Sequence, residues 1–475
     1  MSVPSPAVDA PSAQAIKRWG DWLWIGLFGL GLVATFSLAW VMPRFLPLIP
    51  LVLLVGIALS VLVRYPLLHL CLVLGGFVII FNYDEGIQLS EIVFGLYYLG
   101  YLTCWFAYYV LGDWAKLFKH PVDYAIAFYL IFAAASLALT VIFGGSLFVG
   151  ANELRACAVL AFYFPVREAA RDPRGLRALL ATFVFIALVV AARNFLQYIL
   201  ALQDVGALWE IVQNRHRTNE RLVMMALLGA LVFFARYARY KAISLLLLAL
   251  AAVFTASIML GRSRTIWLAI GLAMFLVFVL SDRQGRVRLL FFGAAGFSTV
   301  LLVGLLFLQD VFLLVLAGLG DRLSTISTAG QRDVSMINRF YEWRTVWSNI
   351  LVSPLVGHGF GVPYSHFNLL YGITEQKTFV HNAYLGLLYR HGFLGLGLVG
   401  FVVAGTFFRG LRLVRHLPDR VSAAAGLTAL ASLAALALAG MTEDVLLMTD
   451  GLFAVMFPLA VIAGLAERRS GEANA

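Results

Sequence analysis

Charged residues are scarce in this sequence. Asp, Glu, Lys and Arg together make up 13% of the 475 residues, whereas a soluble globular domain carries about 25%. Hydrophobic residues account for 62% of the chain, and its mean hydropathy is +0.90. This composition excludes a soluble protein.

Cysteine is also rare, and the spacings that hold a metal are missing. Cys71, Cys104 and Cys157 lie within apolar segments and lack C-x-x-C spacing, so the sequence predicts neither a disulfide framework nor a zinc site. The histidines show no H-E-x-x-H pattern and no neighbouring carboxylate cluster, which are the usual marks of a catalytic metal site. We therefore predict no metal and no cofactor.

Long apolar runs are abundant. Runs of about 16 to 25 residues recur from Asp21 to Ala466, and each can cross a hydrocarbon core of about 30 Å as a helix. They predict an all-α polytopic transmembrane bundle of about 12 to 14 spans, with one long periplasmic loop that contains short helices. The predicted layout is a disordered cytoplasmic N-terminus, transmembrane helices 1–11, the periplasmic loop, the C-terminal transmembrane helices and a cytoplasmic tail, at residues 1–20, 21–308, 309–380, 381–466 and 467–475 respectively.

Basic residues are concentrated in alternate loops. Most of the 35 Lys and Arg residues fall into short connections that share one side of the predicted membrane. Since cytoplasmic loops are enriched in Lys and Arg, this side is predicted to be the cytoplasm. The net charge of +10 is then a consequence of topology and predicts no nucleic-acid partner. The main clusters are Lys17 and Arg18, Arg167 to Arg177, Arg236 to Lys241, Arg283 to Arg288, and Arg409 to Arg420.

Several arginines fall on the opposite side, where topology does not require them. A guanidinium stays charged at any working pH and binds phosphate oxygens through two parallel donors. We interpret the outward arginines as ligands for an anion such as a diphosphate; the alternative is that they pair with outward acids or lipid headgroups. The candidates are Arg262 and Arg264 in the turn Gly261–Thr265, Arg193 near the outer end of a span, and Arg215 and Arg217 in the next outward loop.

One connection, Gln309 to Val380, is far longer than the others. Such a loop in a compact protein is usually functional. The segment Val334–Leu351 has apolar residues near helical spacing and predicts an amphipathic helix at the membrane interface, with Glu342 and Arg344 as candidate acceptor or loop contacts. A Gly-rich turn with His358 follows, and His358 and Asn382 are further candidate acceptor or loop contacts.

His381 and Asn382 stand where the chain re-enters the membrane after this loop. A neutral imidazole there could take the proton of a sugar hydroxyl, because its ordinary pKa is close to the working pH. A lone histidine is more often structural, and three other histidines compete for the role. These are His358, His366 and His391.

Three blocks in this order resemble the C-terminal signature of the O-antigen ligase and polymerase superfamily of bacterial envelope glycosyltransferases. They cover about Ala242 to Gly400 and are Leu260-Gly261-Arg262-Ser263-Arg264, the stretch from Arg344-Thr345-Val346-Trp347 to Gly357-His358-Gly359-Phe360-Gly361, and Val380-His381-Asn382-Ala383-Tyr384-Leu385 running to Arg390-His391-Gly392-Phe393-Leu394-Gly395. One departure from the family pattern is Thr265, where glycine is common.

The resemblance implies a metal-independent glycosyltransferase of the GT-C type in the bacterial inner membrane, with its site facing the periplasm. It implies a glycan donor carried on undecaprenyl diphosphate, with Arg264 at the family's Ser-Arg position and His381 as the base or acceptor-orienting residue. Arg193, Arg215 and Arg217 compete for the family's other functional arginine. We slightly favour a ligase that transfers O-antigen to lipid A-core, but the sequence does not decide the acceptor. Within the family the alternatives are a polymerase that acts on another repeat unit or on a secreted polysaccharide, and an O-oligosaccharyltransferase that acts on a protein serine. Outside the enzyme class, the alternative is a polyprenyl-lipid or polysaccharide transporter.

Overall fold

The structure is a computed structural model that describes residues 65–80, 89–112, 116–203, 218–237, 240–291, 293–294, 334–369, 371–417 and 419–473. Several predicted parts of the chain lie outside these residues. They are the N-terminal tail, the predicted spans 21–42 and 45–63, most of the predicted span 289–308, and the first part of the long loop. Arg215 and Arg217 also lie outside the described residues.

The described residues are overwhelmingly helical. The helices are α1 (Pro66–Ile79), α2 (Leu89–Gly112), α3 (Pro121–Ala135), α4 (Leu137–Ile142), α5 (Leu147–Cys157), α6 (Tyr163–Arg171), α7 (Pro173–Leu202), α8 (Glu220–Tyr237), α9 (Lys241–Gly261), α10 (Arg264–Leu280), α11 (Val334–Ile350), α12 (Ala383–Val414), α13 (Arg420–Ala439) and α14 (Thr449–Ala473). A 3₁₀ turn, Ala158–Phe162, joins α5 to α6, and strands β1 (Tyr364–Asn368) and β2 (Ile373–Lys377) form an antiparallel hairpin.

Seven stretches of the described chain are long and apolar enough to cross a membrane. They are Pro121–Ile142, Leu147–Arg171, Pro173–Ala201, Lys241–Gly261, Ala383–Val414, Arg420–Ala439 and Thr449–Ser470. The predicted all-α polytopic bundle is confirmed. The predicted total of about 12 to 14 spans stays a prediction, because part of the chain lies outside the described residues.

The chain divides into two compact units, residues 1–76 with 80–119, and residues 77–79 with 120–475. In the first unit, α1 and α2 pack where the ring of Phe94 covers Gly76. His69 Nδ1 also lies 2.8 Å from the hydroxyl of Tyr97. All remaining observations concern the second unit.

Hydrogen bonds join several helix ends of the second unit at one end, which we call the polar rim. It comprises the C-terminal ends of α7, α9 and α13 and the N-terminal ends of α8, α10, α12 and α14. Asn194 Nδ2 on α7 donates to the Thr218 carbonyl before α8 and to Ser257 Oγ on α9, both at 3.2 Å. The hydroxyls of Thr265 on α10 and Thr442 after α13 are 2.7 Å apart.

The opposite end, which we call the basic end, holds Arg167 and Arg409, two described arginines that were predicted to lie in the cytoplasm. Fully buried Arg167 contacts Asp123 at 2.7 Å and Glu467 at 3.2 Å. Arg409 on α12 lies 2.9 Å from His120 at the start of α3. Some of these arginines therefore also hold helices together, because a buried charge requires a partner.

Helix α12 is broken at Gly392, where φ is 60° and ψ is −164°, a conformation nearly restricted to glycine. The break leaves backbone groups on both sides without helical partners. The segment after α11 supplies them: His358 N–H donates to the Tyr389 carbonyl and Gly359 N–H to that of Arg390, both at 2.9 Å. On the other side, the amides of Phe393 and Leu394 donate to the carbonyls of Pro354 at 2.8 Å and Leu355 at 3.1 Å, which fixes the segment against α12.

We predict that Gly392→Ala destabilises the protein. A Cβ atom there would collide with the Leu355 carbonyl, and the positive φ alone costs about 1–3 kcal/mol. Thermal unfolding in detergent, followed by size-exclusion chromatography, should show a clear fall in Tm and in folded yield.

The matched control is Gly400→Ala, eight residues further along α12, where a Cβ would meet no atom within 4 Å. Alanine in a regular helix is about 0.5–1 kcal/mol better than glycine, so this variant should be as stable as the wild type or slightly more so. Equal behaviour of the two variants would contradict the proposed role of the break.

Candidate functional site

His381 and Glu342 form a hydrogen-bonded pair at the polar rim. Nδ1 of His381 lies 2.9 Å from Oε2 of Glu342 and 3.2 Å from Oε1. The backbone N–H of His381 donates to Oε2 of the same carboxylate at 3.2 Å. Helix α11 brings Glu342, and the chain entering α12 brings His381, so two segments 39 residues apart meet here.

Glu342 is held in its charged form. Burial alone would raise the pKa of this carboxyl, but hydrogen bonds from His381 and from the Tyr364 hydroxyl, at 2.9 Å, bring the pKa below its ordinary value. Burial and the adjacent carboxylate raise the pKa of Tyr364, so the phenol remains a neutral donor. The carboxylate is therefore placed to accept a hydrogen bond from Nδ1–H of His381. In a neutral imidazole this bond fixes the tautomer in which Nε2 is free to act as a base.

His381 is positioned on every side except at Nε2. Its carbonyl accepts the indole N–H of Trp343 at 3.2 Å, and its ring meets the edge of Phe379 with centroids 4.5 Å apart. The side chain is one-third exposed, whereas Glu342 is 1% exposed. Among the described residues Nε2 has no hydrogen-bond partner, so an incoming hydroxyl could reach it.

Asn382 begins α12 rather than projecting into open space. Its Oδ1 accepts the N–H groups of Tyr384 and Leu385 at 3.0 Å each. Its Nδ2 donates to the Met441 carbonyl at 3.0 Å. The His-Asn pair of the sequence therefore combines one residue with a free nitrogen and one that caps the helix and ties it to the turn after α13.

Arg264 is the first residue of α10, at the same rim. The turn after α13 connects the surroundings of Arg264 and His381. Thr442 in this turn contacts Thr265, which follows Arg264. Met441 in the same turn accepts a hydrogen bond from Asn382, which follows His381. The N-terminal amides of α10 and the guanidinium of Arg264 both favour an anion.

The turn before α10 has a left-handed residue. Arg262 has φ 50° and ends α9, an unusual conformation for a residue other than glycine. It lets the chain reverse within three residues, so Arg262 and Arg264 stay close to the helix ends. Both side chains are partly buried.

Arg193 is the third predicted arginine within the described residues. It is partly buried on α7, beside Asn194, whose contacts with Thr218 and Ser257 belong to the rim. The structure therefore places Arg262 and Arg264 at the junction of α9 and α10, and Arg193 within α7, next to the Asn194 that contacts the rim.

Two outward arginines instead pair with acids. Arg221 donates to Asp450 at 2.8 Å and to Glu443 at 2.9 Å. Arg390 donates to Asp444 at 2.8 Å, and both side chains are almost fully buried. For these two the structure favours the alternative of pairing with acids, although none of these three acids was a predicted partner.

The acids that sequence reasoning missed all lie between α13 and the first turn of α14. Glu443, Asp444 and Asp450 stand within eight residues of each other in a short outward connection. That clustering was the available signal, since carboxylates at a membrane edge require partners. They fix the turn that carries Met441 and Thr442.

The competing histidines are all buried. His358 stacks on Tyr389 with ring centroids 4.7 Å apart. His391 lies 3.3 Å from both Tyr129 and Ser136. Only His381 of the four candidates is partly exposed.

Arg344 is exposed on α11. It lies two residues beyond Glu342, a spacing that places two helical side chains on different faces. It therefore does not join the buried pair and remains a candidate loop contact.

No cluster of three or more His, Cys, Asp or Glu side chains suited to a metal occurs in the part of the chain that the structure describes. The metal independence implied by the resemblance stays a prediction.

Residues 245–400 match the family model described as O-Antigen ligase. This stretch is similar to that family, and the match supports the O-antigen ligase and polymerase superfamily. The matched region runs from α9 to the upper part of α12 and includes Arg264, Glu342 and His381. Comparison with curated proteins finds no match.

The match over residues 245–400 supports an O-antigen ligase or polymerase type of membrane function, and that family is one of glycosyl-transfer enzymes. The long apolar helices indicate a multi-pass membrane protein. The acids that anchor the rim, Glu443, Asp444 and Asp450, lie beyond the matched region. The rim is therefore completed by helices outside the matched region.

Glu342→Gln should change how stability depends on pH. Because the folded pKa of Glu342 lies below its ordinary value of 4.5, the charged form stabilises the folded state above about pH 4.5, and this contribution is lost as pH falls through the folded pKa. The difference in Tm between wild type and variant should be largest near neutral pH and shrink in acid, as measured by thermal unfolding across a pH series.

The control is Glu168→Gln, which removes the partly exposed partner of Arg171. Such surface pairs contribute about 0–1 kcal/mol, so its Tm difference should be small at each pH. If the Glu342→Gln difference were independent of pH, the charged, His381-bound state of this carboxyl would be wrong.

Proposed function

We propose that the protein transfers a glycan from undecaprenyl diphosphate to an acceptor hydroxyl on the periplasmic face of the inner membrane. The single observation that carries this proposal is the Glu342–His381 pair with a free Nε2, at the same rim as Arg264 at the start of α10. A base and an anion site are the two parts that displacement of a diphosphate by a hydroxyl requires.

In the proposed reaction, the acceptor oxygen bonds to the anomeric carbon of the donor sugar as the bond from that carbon to the diphosphate oxygen breaks. The acceptor proton moves to Nε2 of His381. Glu342 stabilises the imidazolium that forms, as a buried carboxylate does for a histidine base. The departing diphosphate gains negative charge, which Arg264, with Arg262 and Arg193, offsets.

The membrane setting suits a lipid-linked donor. A polyprenyl chain must enter from the side of the bilayer, and its diphosphate then lies at headgroup depth. The polar rim is formed by the ends of apolar helices, which is the depth that an arginine can occupy at low cost.

Arg264→Ala should reduce glycan transfer by about 10²-fold or more, since it removes a donor to the leaving group. His381→Ala should cost about 10²–10⁴-fold. Transfer from a lipid-linked donor would be measured in membranes that contain equal amounts of folded protein.

Arg174→Ala is the matched control, because Arg174 is an exposed arginine at the basic end. It should transfer at the normal rate. Normal transfer by His381→Ala would remove the proposed base, and normal transfer by Arg264→Ala would remove the proposed anion site.

The acceptor decides between the candidate functions. We propose a ligase that attaches O-antigen to lipid A-core. A polymerase of O-antigen or exopolysaccharide is the second candidate, because the family match supports ligase and polymerase functions alike. Deletion of the gene followed by gel analysis of lipopolysaccharide and secreted polysaccharide should separate them.

Loss of the ligase should leave lipid A-core without polymer while lipid-linked polymer accumulates. Loss of a polymerase should instead leave core bearing at most one repeat unit. An unchanged lipopolysaccharide with missing secreted polysaccharide would assign the protein to exopolysaccharide synthesis, and accumulation of unflipped precursor in the cytoplasm would favour a transporter.

A further inference from the structure

The segment 351–360 follows α11 and runs down the side of α12 instead of over the rim. Glu342 and Trp343 on α11 lie level with His381, just before α12 begins. Further along, Pro354 and Leu355 lie level with Phe393 and Leu394 on α12. The chain then returns, since Tyr364 again reaches Glu342.

The length of α12 gives the depth of this segment. Arg409 lies at the basic end, beside His120, so the apolar part of α12 ends at Phe408. A hydrocarbon core of about 30 Å takes about 20 helical residues, which reach back to about Leu388. Gly392, which lies against Leu355, is then about 6 Å inside the core.

A second helix gives the same depth. The span Pro121–Ile142 starts next to His120, and about 20 residues from there reach Thr140. The returning chain touches this region: a Cβ on Gly359 would collide with the Ser136 carbonyl, and Thr140 Oγ1 donates to the Phe360 carbonyl at 2.6 Å. Ser136 also lies about 6 Å inside by this count.

Backbone inside hydrocarbon must have its hydrogen bonds satisfied by protein. Protein partners satisfy four of the segment's backbone groups at the break in α12, namely those of Pro354, Leu355, His358 and Gly359. Ser146 N–H further donates to the Gly361 carbonyl at 3.1 Å.

The outer side of the segment is apolar and exposed. Val352 is 69% exposed and Leu355 is 70% exposed. These side chains continue the surface of α12, where Phe393 and Leu394 are also exposed on a candidate membrane span. Apolar side chains that continue a lipid-facing helix surface fit acyl chains.

We propose that residues 351–360 form a re-entrant segment inside the outer half of the bilayer, with Leu351, Val352 and Leu355 in contact with lipid acyl chains. The connection after α11 is then no simple solvent loop. Of this connection, the part that includes the β-hairpin then lies above the membrane. The proposal does not depend on the glycosyltransferase assignment.

Fluorescence quenching tests this placement. In a protein whose three cysteines are replaced by alanine, a bimane probe would be attached at Leu355→Cys and, separately, at Val352→Cys. The protein would be reconstituted into phosphatidylcholine vesicles, with iodide as the aqueous quencher and lipids carrying a nitroxide along the acyl chain as the membrane quencher.

The matched controls are Phe367→Cys on β1, another exposed apolar position in the same connection, and Phe401→Cys on the exposed side of α12. We expect the probes at 352 and 355 to be quenched by the nitroxide lipid as strongly as the probe at 401. Iodide should quench them several-fold less than the probe at 367.

Two results would overturn the proposal. Strong quenching by iodide with little quenching by the nitroxide lipid would place the segment in water. Weak quenching by both would mean that another part of the protein or a second copy covers it. Either outcome at both positions, with 401 and 367 behaving as expected, counts against lipid contact whatever the enzyme's activity.

Discussion

The break of α12 at Gly392 is the feature on which the rest of this architecture depends. An uninterrupted helix would satisfy its own backbone and offer nothing to a neighbouring segment. The break exposes carbonyls on one side and amides on the other, and the chain after α11 takes up both sets through Pro354, Leu355, His358 and Gly359. Since this docking fixes the end of α11 against α12, it also brings Glu342 on α11 beside His381 at the top of α12.

Buried ion pairs then hold the opposite side of the rim. Transfer of Arg390 and Asp444 out of water costs free energy that their mutual attraction does not fully offset. Such a pair therefore fixes a geometry more than it adds stability. Here it is joined by Arg221, which binds Glu443 and Asp450. Together they hold the turn after α13, whose Met441 and Thr442 connect the start of α12 to the start of α10. The candidate base and the candidate anion site are in this way fixed relative to each other.

Residue type and spacing alone could not decide which of the four candidate histidines is the base. Each stands near a glycine-rich or polar stretch, and nothing in their spacing separates them. Their surroundings do: His391 lies between Tyr129 and Ser136, His358 stacks on Tyr389, and burial lowers the pKa of His366. His381 alone has one nitrogen held by a carboxylate and the other open. The β-hairpin that supplies Tyr364 was not predicted, although alternate residues Tyr364, His366 and Asn368 turn the same way in the strand.

Composition and periodicity by themselves determined that this is a helical membrane protein, which helix ends carry the basic clusters, and that an amphipathic helix precedes the last spans. These follow from local rules, since each span must hide its own backbone and the bilayer favours apolar residues at helical length. The O-antigen ligase resemblance likewise rested on short blocks of residues. Only the tertiary structure decided that Arg390 and Arg221 pair with acids and that Glu342 is the partner of His381. It also decided that residues 351–360, which were expected to belong to a loop, pack beside α12. Those outcomes depend on contacts between segments far apart in the chain, where the energy of burying a charge or a backbone group is set by neighbours that spacing along the sequence does not specify.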